Sequence, residues 1–299
     1  MISINNFLHD YILTFPKLLQ FKASDTIDEA IRAFSRNHQQ GLRAVRDTVI
    51  FCVGSIRSVL NAVPWIVLIA AVGWLTWKLT KKARLSVLYS VLLVFIGSCG
   101  LWGQMLETLS IVVAGVILCI ALGFPLGVLL AVSSSANDII RPVLDTMQTM
   151  PSWVYLVPAV IFFSVGTTPA LLATTIYAIV PMVRLTSHGL LYVDAEMLEA
   201  ARAFGSTKLQ TLVKIQIPQA IPTIMTGVNQ TIMMAMSMVV TCALIGANGL
   251  GMEILLATNR VDMGKALLPG VSIVIVAIIM DRLTQSVVRQ SEVNTDVQR

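Results

Sequence analysis

Charge-free apolar stretches of membrane-spanning length begin after Arg57 and recur as far as Met280. A helix needs about 20 apolar residues to cross the hydrocarbon core of a bilayer. Long runs without polar alternation indicate helices rather than the strands of a barrel. The pattern therefore predicts an all-α membrane protein with about seven transmembrane helices. The predicted spans are Ser58–Trp77, Leu85–Leu106, Thr108–Asn137, two within the 38 charge-free residues Thr146–Val183, about Thr223–Ala247, and Ala266–Met280.

The first 57 residues have a different character, with seven Lys or Arg and five Asp or Glu. They lack the basic start and continuous apolar core of a signal peptide. We predict a short amphipathic segment and then a polar helix around Thr26–Val49. A helix lying on the membrane surface and a solvated tail packed on its neighbours both remain open.

The composition agrees with a multi-span membrane protein. Of the 299 residues, 56% are hydrophobic and 12% are charged, whereas about 25% are charged in a soluble domain. This excludes an ordinary soluble enzyme, a disordered chain and a small disulfide scaffold. The four cysteines form no CxxC or Cys–His pattern, so we predict no metal site.

The basic residues of the short loops predict an orientation. If the N-terminus lies outside, the cytoplasmic loops contain nine Lys or Arg and the outer loops only Arg260 and Lys265. Such a bias is typical of the positive-inside rule, although the basic N-terminal segment opposes it. The nine residues are Lys78, Lys81, Lys82, Arg84, Arg141, Arg184, Arg202, Lys208 and Lys214.

The spans contain no acidic or basic residue near their middle. Ion-coupled carriers generally need an ionisable group at depth, so the energy for any transport is expected to come from another protein. The chain has no GxxxxGK[ST] phosphate loop and no HExxH motif. We therefore predict no catalytic residues and no enzyme activity in this chain.

The loop of residues 184–222 is expected to be cytoplasmic and to contain two short helices. Asp194 can cap a helix from Ala195 to Phe204, and Gly205 suits its C-terminal end. A second helix, Ser206–Gln216, is predicted to stop before Pro218. A small-sided helix is suited to docking another protein, but a helical hairpin packed on its own chain is an equal alternative. The small side consists of Ala200, Ala201 and Ala203.

The order Glu199-Ala200-Ala201, Gly205 and Ile215-x-Ile217-Pro218 resembles the EAA–x3–G–x9–I–x–L–P signature of ABC importer permeases, with Ile217 in place of Leu. The segments 148–158, 222–231, 237–240 and 281–285 resemble the glycine betaine/proline betaine (ProW-type) permeases. The resemblance covers about residues 106–285. It implies a five-helix ABC importer permease core of type I, MetI-like fold, within the all-α membrane protein.

The resemblance also implies partners. In this family the EAA region is a coupling helix that enters a cleft of a separate ABC ATPase subunit. ATP would be bound by that subunit, with no cofactor in this chain. A second permease chain, as a homodimer, and an extracytoplasmic substrate-binding protein would complete the importer. The expected ATPase-coupling residues are Glu199, Ala200, Ala201, Arg202 and Gly205.

The resemblance further implies betaine-like osmolytes as substrates. An aromatic cage suits a methylated cation, so Trp153 and Tyr155 are candidates for the substrate path, although a place as interfacial aromatics at the start of the fourth span is the favoured explanation. Asn229 and Gln230 are polar at membrane depth and either line the path or bridge helices. Met233 lies in a Met-rich stretch that suits an adaptable passage or helix packing.

The sequence thus predicts an inner-membrane permease subunit whose EAA loop and C-terminus are cytoplasmic and whose N-terminus lies outside. Choline, carnitine or another quaternary amine is an alternative substrate, and an ion-coupled secondary carrier is a more distant alternative. The predicted divisions are an N-terminal segment 1–57, two accessory helices in 58–105, the permease core 106–285 with its coupling loop 184–222, and a tail 286–299.

Overall fold

The computed structural model describes residues 23–297, with side chains for residues 26–288. The predicted amphipathic start of the chain lies outside these residues. The described part of the chain divides into two units, the first ending at Val45 and the second beginning at Arg46. Within the described range it is helical and has no strand. The helices are α1 (Ala23–Asn37), α2 (Gln39–Ala62), α3 (Trp65–Thr80), α4 (Ala83–Ser98), α5 (Trp102–Val132), α6 (Ser134–Thr149), α7 (Trp153–Phe163), α8 (Thr167–Leu191), α9 (Ala195–Ala203), α10 (Lys208–Thr211), α11 (Ile217–Ala243), α12 (Leu250–Asn259) and α13 (Met263–Val297).

The first predicted span is broken. Helices α2 and α3 meet at 94° across Val63-Pro64, so Ser58–Trp77 is not one straight helix. Proline disfavours helical geometry in the residue before it, which explains the break. Helix α3 then packs on α4 as a hairpin, with the Ser86 hydroxyl donating to the Gly73 carbonyl at 2.6 Å.

Helices α5 and α8 form the centre of the bundle and pack closely through small residues. An added Cβ at Gly115 would meet Thr174, one at Gly123 would meet Met182, and one at Gly127 would lie 2.6 Å from Thr186 Cβ. Small residues allow membrane helices to approach closely. Because the partners on α8 advance in the same order as the residues on α5, the two helices run parallel.

Two parallel neighbours require the chain to return between them, and α6 and α7 provide that return. Leu144 of α6 shares a buried cluster with Val183, near the end of α8. Leu156 of α7 shares another with Leu171, near the start of α8. Helix α7 has 11 residues and is about 16 Å long, so it cannot cross a bilayer alone. The fourth predicted span is therefore completed by part of α6.

Helix α11 runs antiparallel to α8. Gly189 near the end of α8 faces Ala220 and Thr223, and Gly227 faces Leu185. Helix α13 packs in turn on α11. The loops at the far end of α11 are tied to the core, because Gly166 N–H donates to the Ile245 carbonyl at 2.8 Å.

The bundle therefore has two ends. We call the end that contains Leu191, α9 and Ile217 the coupling face, and the end that contains Trp102, Thr167 and Ala243 the opposite face. At the opposite face, Leu250 N–H donates to Thr108 Oγ1 at 2.8 Å and fixes the start of α12.

The described part of the chain has fewer long apolar helices than the sequence predicts. In the described part of the chain, four helices are long and apolar enough to cross a membrane, or five if the bent α2–α3 pair counts as one span. The other apolar helices, α3, α4 and α7, have 16, 16 and 11 residues. The all-helical class is confirmed, and the described helices support four or five of the about seven predicted spans by length and composition.

Several predicted boundaries differ from the structure. The polar helix predicted around Thr26–Val49 is two helices, α1 and α2, and the second predicted span ends at Ser98. The third ends at Val132, where the Ser133 hydroxyl caps α6 by accepting from Ala136 N–H at 3.3 Å. Helix α13 begins three residues before the predicted Ala266 and continues well beyond Met280.

Candidate functional site: the coupling loop and the exposed face of helix α11

Helix α9 begins where the sequence predicts. The Asp194 carboxylate accepts a hydrogen bond from Glu196 N–H at 3.0 Å, which satisfies one of the free N–H groups of the first turn. Glu196 in that turn suits the positive end of the helix dipole. The helix ends at Ala203, one residue earlier than predicted, with Phe204 as its cap.

Gly205 closes the helix in the left-handed conformation, with φ of +76°. Ser206 N–H donates to the Ala201 carbonyl at 3.0 Å, and Gly205 N–H donates to the Arg202 carbonyl at 2.9 Å. This is the hydrogen-bond pattern of a Schellman cap. No neighbouring heavy atom lies within 4 Å of the position a Cβ would take at Gly205, so the backbone conformation alone calls for glycine.

The capped turn projects from the molecule. Glu199, Ala200 and Ala203 are exposed and, at helical spacing, lie on one face. Phe204 is 90% exposed at the tip. Ala201 is only 6% exposed and packs on its own chain. The three alanines predicted to form the small side of the helix therefore differ. Ala200 and Ala203 face outwards, and Ala201 contacts the rest of the chain.

Arg202, the remaining predicted coupling residue, lines a cleft of about 500 Å³ between the end of α5 and the loop. Val132 of α5 and Leu209 and Leu212 of the loop are among the other lining residues. Arg202 thus borders both the exposed turn and the body of the protein.

The second half of the loop differs from the prediction. A capping box of Thr207 and Gln210 starts α10 at Lys208. Residues Leu212–Gln216 then form a π-helical turn that leads directly into α11. The expected stop before Pro218 is wrong, because a wider turn accommodates a proline that cannot donate the usual hydrogen bond. The coupling loop is thereby joined to α11 without a break in the helix.

The five predicted path residues do not converge. Trp153 is 51% exposed, whereas Tyr155 is buried with its hydroxyl donating to the Met147 carbonyl. Asn229 is turned towards α13. Gln230 and Met233 are both exposed, three residues apart on one side of α11. Three of the five candidates, Trp153, Gln230 and Met233, are therefore exposed. The other two, Tyr155 and Asn229, form hydrogen bonds within the chain.

Gln230 and Met233 belong to a continuous exposed stripe along α11, which we call the α11 stripe. Three of its members are polar at membrane depth. Polar side chains in a membrane helix generally face water or another helix rather than lipid. The stripe consists of Thr226, Gln230, Met233, Ser237, Val240 and Leu244.

Asn229 lies beside the stripe but bridges two helices. Its side-chain N–H donates to Asp281 Oδ1 of α13 at 2.9 Å, and Gln285 donates to both oxygens of Asp281 at 2.8 and 2.9 Å. Of the two roles predicted for Asn229, this geometry favours helix bridging. Nothing in the sequence pairs Asp281 with Asn229.

These features are accompanied by a family match. The model of the family described as "binding-protein-dependent transport system inner membrane component" matches residues 123–292, which include the coupling loop, α11 and Asp281. The chain belongs to this family. The match covers more than half of the chain, and it confirms the family that the EAA-like signature implied.

Curated relatives cover still more of the chain. The permease protein ProW of the glycine betaine/proline betaine transport system of Escherichia coli is 44% identical over 83% of this chain and 70% of its own length. The glycine betaine permease protein OpuAB of Bacillus subtilis is 40% identical over 88% and 90%. The glycine betaine/carnitine permease protein GbuB of Listeria monocytogenes is 44% identical over 75% and 80%.

A solved structure shares the fold. A chain of the MetNI methionine ABC transporter in an inward-facing conformation aligns with a TM-score of 0.57 at 22% identity. The alignment covers 62% of this chain and 93% of that chain. At this identity the likeness concerns the fold alone, and it confirms the predicted MetI-like core.

Proposed function

We propose that this chain is the membrane-spanning subunit of an ATP-driven importer for glycine betaine- and proline betaine-type solutes. It would form the translocation path and dock a separate ATPase. The observation that carries the proposal is the exposed, capped turn Ala195–Gly205, held at the end of a helical segment that continues into α11. A movement of that turn is passed directly to the helix that bears the exposed polar stripe.

The docking surface would consist of Glu199, Ala200, Ala203 and the tip of Phe204. The small alanines permit close approach, and Glu199 is free to pair with a basic residue of the partner. Ala201 and Arg202 would hold the turn against the body of the chain. ATP would be bound and hydrolysed by the partner, which is why this chain is proposed to have no catalytic residue or cofactor of its own.

The α11 stripe supports a second permease chain. Its polar side chains are poorly suited to lipid, and a second copy across a shared path would cover them. We propose a homodimer in which Gln230, Met233 and Ser237 face the path. An extracytoplasmic binding protein would deliver the solute to the opposite face.

The proposed solute is supported by the names of the relatives. The Escherichia coli and Bacillus subtilis proteins are named for glycine betaine, and the Listeria protein for glycine betaine and carnitine. These solutes share a methylated cationic nitrogen and a carboxylate. Carnitine, or another quaternary amine such as choline, is the alternative, and competition against uptake of glycine betaine would distinguish them.

The orientation is proposed from charge. The α3–α4 connection, which holds Lys78, Lys81 and Arg84, lies on the coupling face with Arg141 and the basic residues of the loop. Basic loops generally remain in the cytoplasm. The coupling face and the C-terminus would then be cytoplasmic in the inner membrane, with the N-terminus outside.

The experiment that tests the docking role is a matched pair, Gly205→Asp and Gly205→Asn. Both side chains tolerate left-handed backbone and are of similar size, but only Asp adds a charge to the surface. The tagged chain would be purified from its native host in mild detergent, partners identified by mass spectrometry, and solute uptake measured.

We expect the parent and Gly205→Asn to retain a stoichiometric ATPase and uptake, and Gly205→Asp to lose both at unchanged membrane insertion. Normal uptake by Gly205→Asp would contradict the docking assignment. ATP-independent uptake without any ATPase partner would instead favour a secondary carrier.

A further inference from the structure

A crevice of about 610 Å³ lies at the opposite face, where the ends of α3, α4 and α5 meet. Its size is within the range of about 300–1,000 Å³ that is typical of small-molecule sites. It is remote from the coupling loop and contains no residue of the α11 stripe. The function proposed above leaves it unassigned.

The crevice changes from polar to apolar along its depth. Asn61 and Ser98 lie at its outer end, where α2 and α4 finish. Ile69, Leu93 and Leu106 form its inner end and are themselves buried. These three lie four or five residues from the ends of their helices, which places them about 6–8 Å deeper.

Two tryptophans flank this transition. Trp65 begins α3, Trp102 begins α5, and both line the crevice. Tryptophan is enriched at the level of lipid headgroups. The outer end of the crevice is therefore expected at the membrane–water boundary and its inner end among the acyl chains.

The surroundings of the crevice are apolar. The α3–α4 hairpin exposes large apolar side chains on the sides that do not pack on the core, among them Ile66, Val67, Val87 and Val91. Such a surface borders lipid in a membrane protein. A ligand would thus enter the crevice from the bilayer rather than from water.

The mouth of the crevice offers hydrogen-bond donors but no net charge. Pro64, the residue before α3, provides no side-chain cap for the helix, and the N–H groups of a first helical turn have no acceptor within the helix. Arg57 and Glu107, each one turn from a lining residue, form an ion pair and balance each other. The mouth therefore suits a phosphate or ester oxygen without selecting the headgroup by charge.

We propose that this crevice is a phospholipid-binding site that holds the glycerol region and upper acyl carbons of one lipid of the opposite-face leaflet. The polar outer end, the apolar inner end and the flanking tryptophans match the polarity profile of that part of a phospholipid. The bound lipid would fill the space between the α3–α4 hairpin and the core helix α5.

The test introduces a larger side chain that fills the crevice in place of the proposed lipid. An added Cβ at Gly103 meets no heavy atom within 4 Å, so the side chain of Gly103→Leu would begin in the open space of the crevice that Gly103 lines. Gly270→Leu is the matched control, because Gly270 is equally open and lies on α13 outside the crevice. Gly97→Leu is a second filling variant, since its nearest contact is Trp102 at 3.7 Å.

Each variant would be made in a chain that retains Trp102 as its only tryptophan. It would be reconstituted in phosphatidylcholine–phosphatidylglycerol vesicles whose acyl chains are brominated near the glycerol. We expect Trp102 quenching to fall at least twofold in Gly103→Leu and Gly97→Leu and to stay unchanged in Gly270→Leu. Native mass spectrometry in detergent should show a phospholipid retained by the parent and the control and lost from the filled variants.

Equal quenching and equal lipid retention in all variants would overturn the proposal. A fall in the dimer fraction of the filled variants, without loss of lipid, would show that a second protein chain occupies the crevice instead. Neither readout requires transport, so failure here is distinguishable from failure of the proposed importer function.

Discussion

At the scale of single residues, the tip of the coupling loop is the most exposed large aromatic position in the described part of the chain. Phe204 is 90% exposed and follows directly on α9. It makes no buried contact that would stabilise the free protein. Its place beside the left-handed turn at Gly205 suits an anchor that is buried only when a partner docks.

Phe204→Ala is therefore expected to weaken ATPase binding without lowering the stability of the free chain. A buried aromatic anchor at an interface is typically worth about 2 kcal/mol or more, which corresponds to at least about a 30-fold loss of affinity. Titration of the detergent-solubilised chain with the purified ATPase measures this loss.

The matched control is Val261→Ala, because Val261 is also highly exposed but lies in the α12–α13 turn at the opposite face. It should leave ATPase affinity unchanged. Equal affinities for Phe204→Ala and the parent would remove Phe204 from the interface.

At the scale of elements, the α5–α8 contact depends on glycine at the point of closest approach. A Cβ at Gly127 would lie 2.6 Å from Thr186 Cβ and 2.7 Å from the Val183 carbonyl. The second neighbour is backbone and cannot rotate away. Any side chain at position 127 must push the two central helices apart.

Gly127→Val should therefore destabilise the protein by about 1–3 kcal/mol, the usual cost of overpacking. Thermal unfolding in detergent, followed by circular dichroism, would report the change. Gly103→Ala meets no heavy atom within 4 Å and should unfold like the parent. An unchanged midpoint for Gly127→Val would mean that α5 and α8 are not in close contact.

The Asn229–Asp281 bond links α11, which continues from the coupling loop, to α13. Hydrogen bonds between membrane helices contribute on average about 0.6 kcal/mol and rarely more than about 2 kcal/mol. A double-mutant cycle of Asn229→Leu and Asp281→Leu should give a coupling energy in this range by unfolding in mixed micelles. Additive effects of the two substitutions would contradict the bond.

The Asn229–Asp281 pair also has a functional consequence. If it makes α11 and α13 move together, Asn229→Leu should lower uptake more than it lowers ATP hydrolysis. Thr284→Ala serves as the comparison, because the Thr284 hydroxyl donates only to its own helix, α13, at the Met280 carbonyl. Equal losses of uptake and hydrolysis in Asn229→Leu would assign the pair a purely structural role.

At the scale of the whole molecule, the chain order of the passes fixes a topology that can be measured. The coupling loop and the α12–α13 turn lie at opposite ends of the bundle. With Cys52 and Cys99 replaced by Ser, a cysteine at Lys208 should react with an impermeant thiol reagent only in inside-out vesicles. A cysteine at Arg260 should react only in intact spheroplasts. Labelling of Lys208→Cys in intact spheroplasts would invert the proposed orientation.

Much of the candidate site could be predicted from the sequence because its signals are local. The cap at Asp194 depends only on residues within one helical turn of it, and so does the turn at Gly205. Both are where the sequence predicts them. The apolar runs likewise predicted the helical class, since a membrane span is a property of about 20 consecutive residues. The relatives and the family match confirm the permease assignment that the EAA-like signature implied.

Other features could not be predicted because they depend on contacts between distant residues. The sequence marks Pro218 as a helix breaker, yet a π-helical turn carries the chain through it because the following residues pack on α8. The sequence allows two roles for Asn229. Only the packing of α13 on α11 brings Asp281, 52 residues further along the chain, within hydrogen-bond distance of Asn229.

The sequence by itself therefore determined that this is a helical membrane protein with a capped, glycine-ended turn, because hydropathy and capping are encoded over short distances. The tertiary structure decided that α6 and α7 together make one pass, that Ala201 faces inwards, and that Gln230 and Met233 lie on an exposed stripe. Each of these depends on which helices are neighbours. Small residues along α5, α8 and α11 determine which helices are neighbours, because they allow these helices to approach closely.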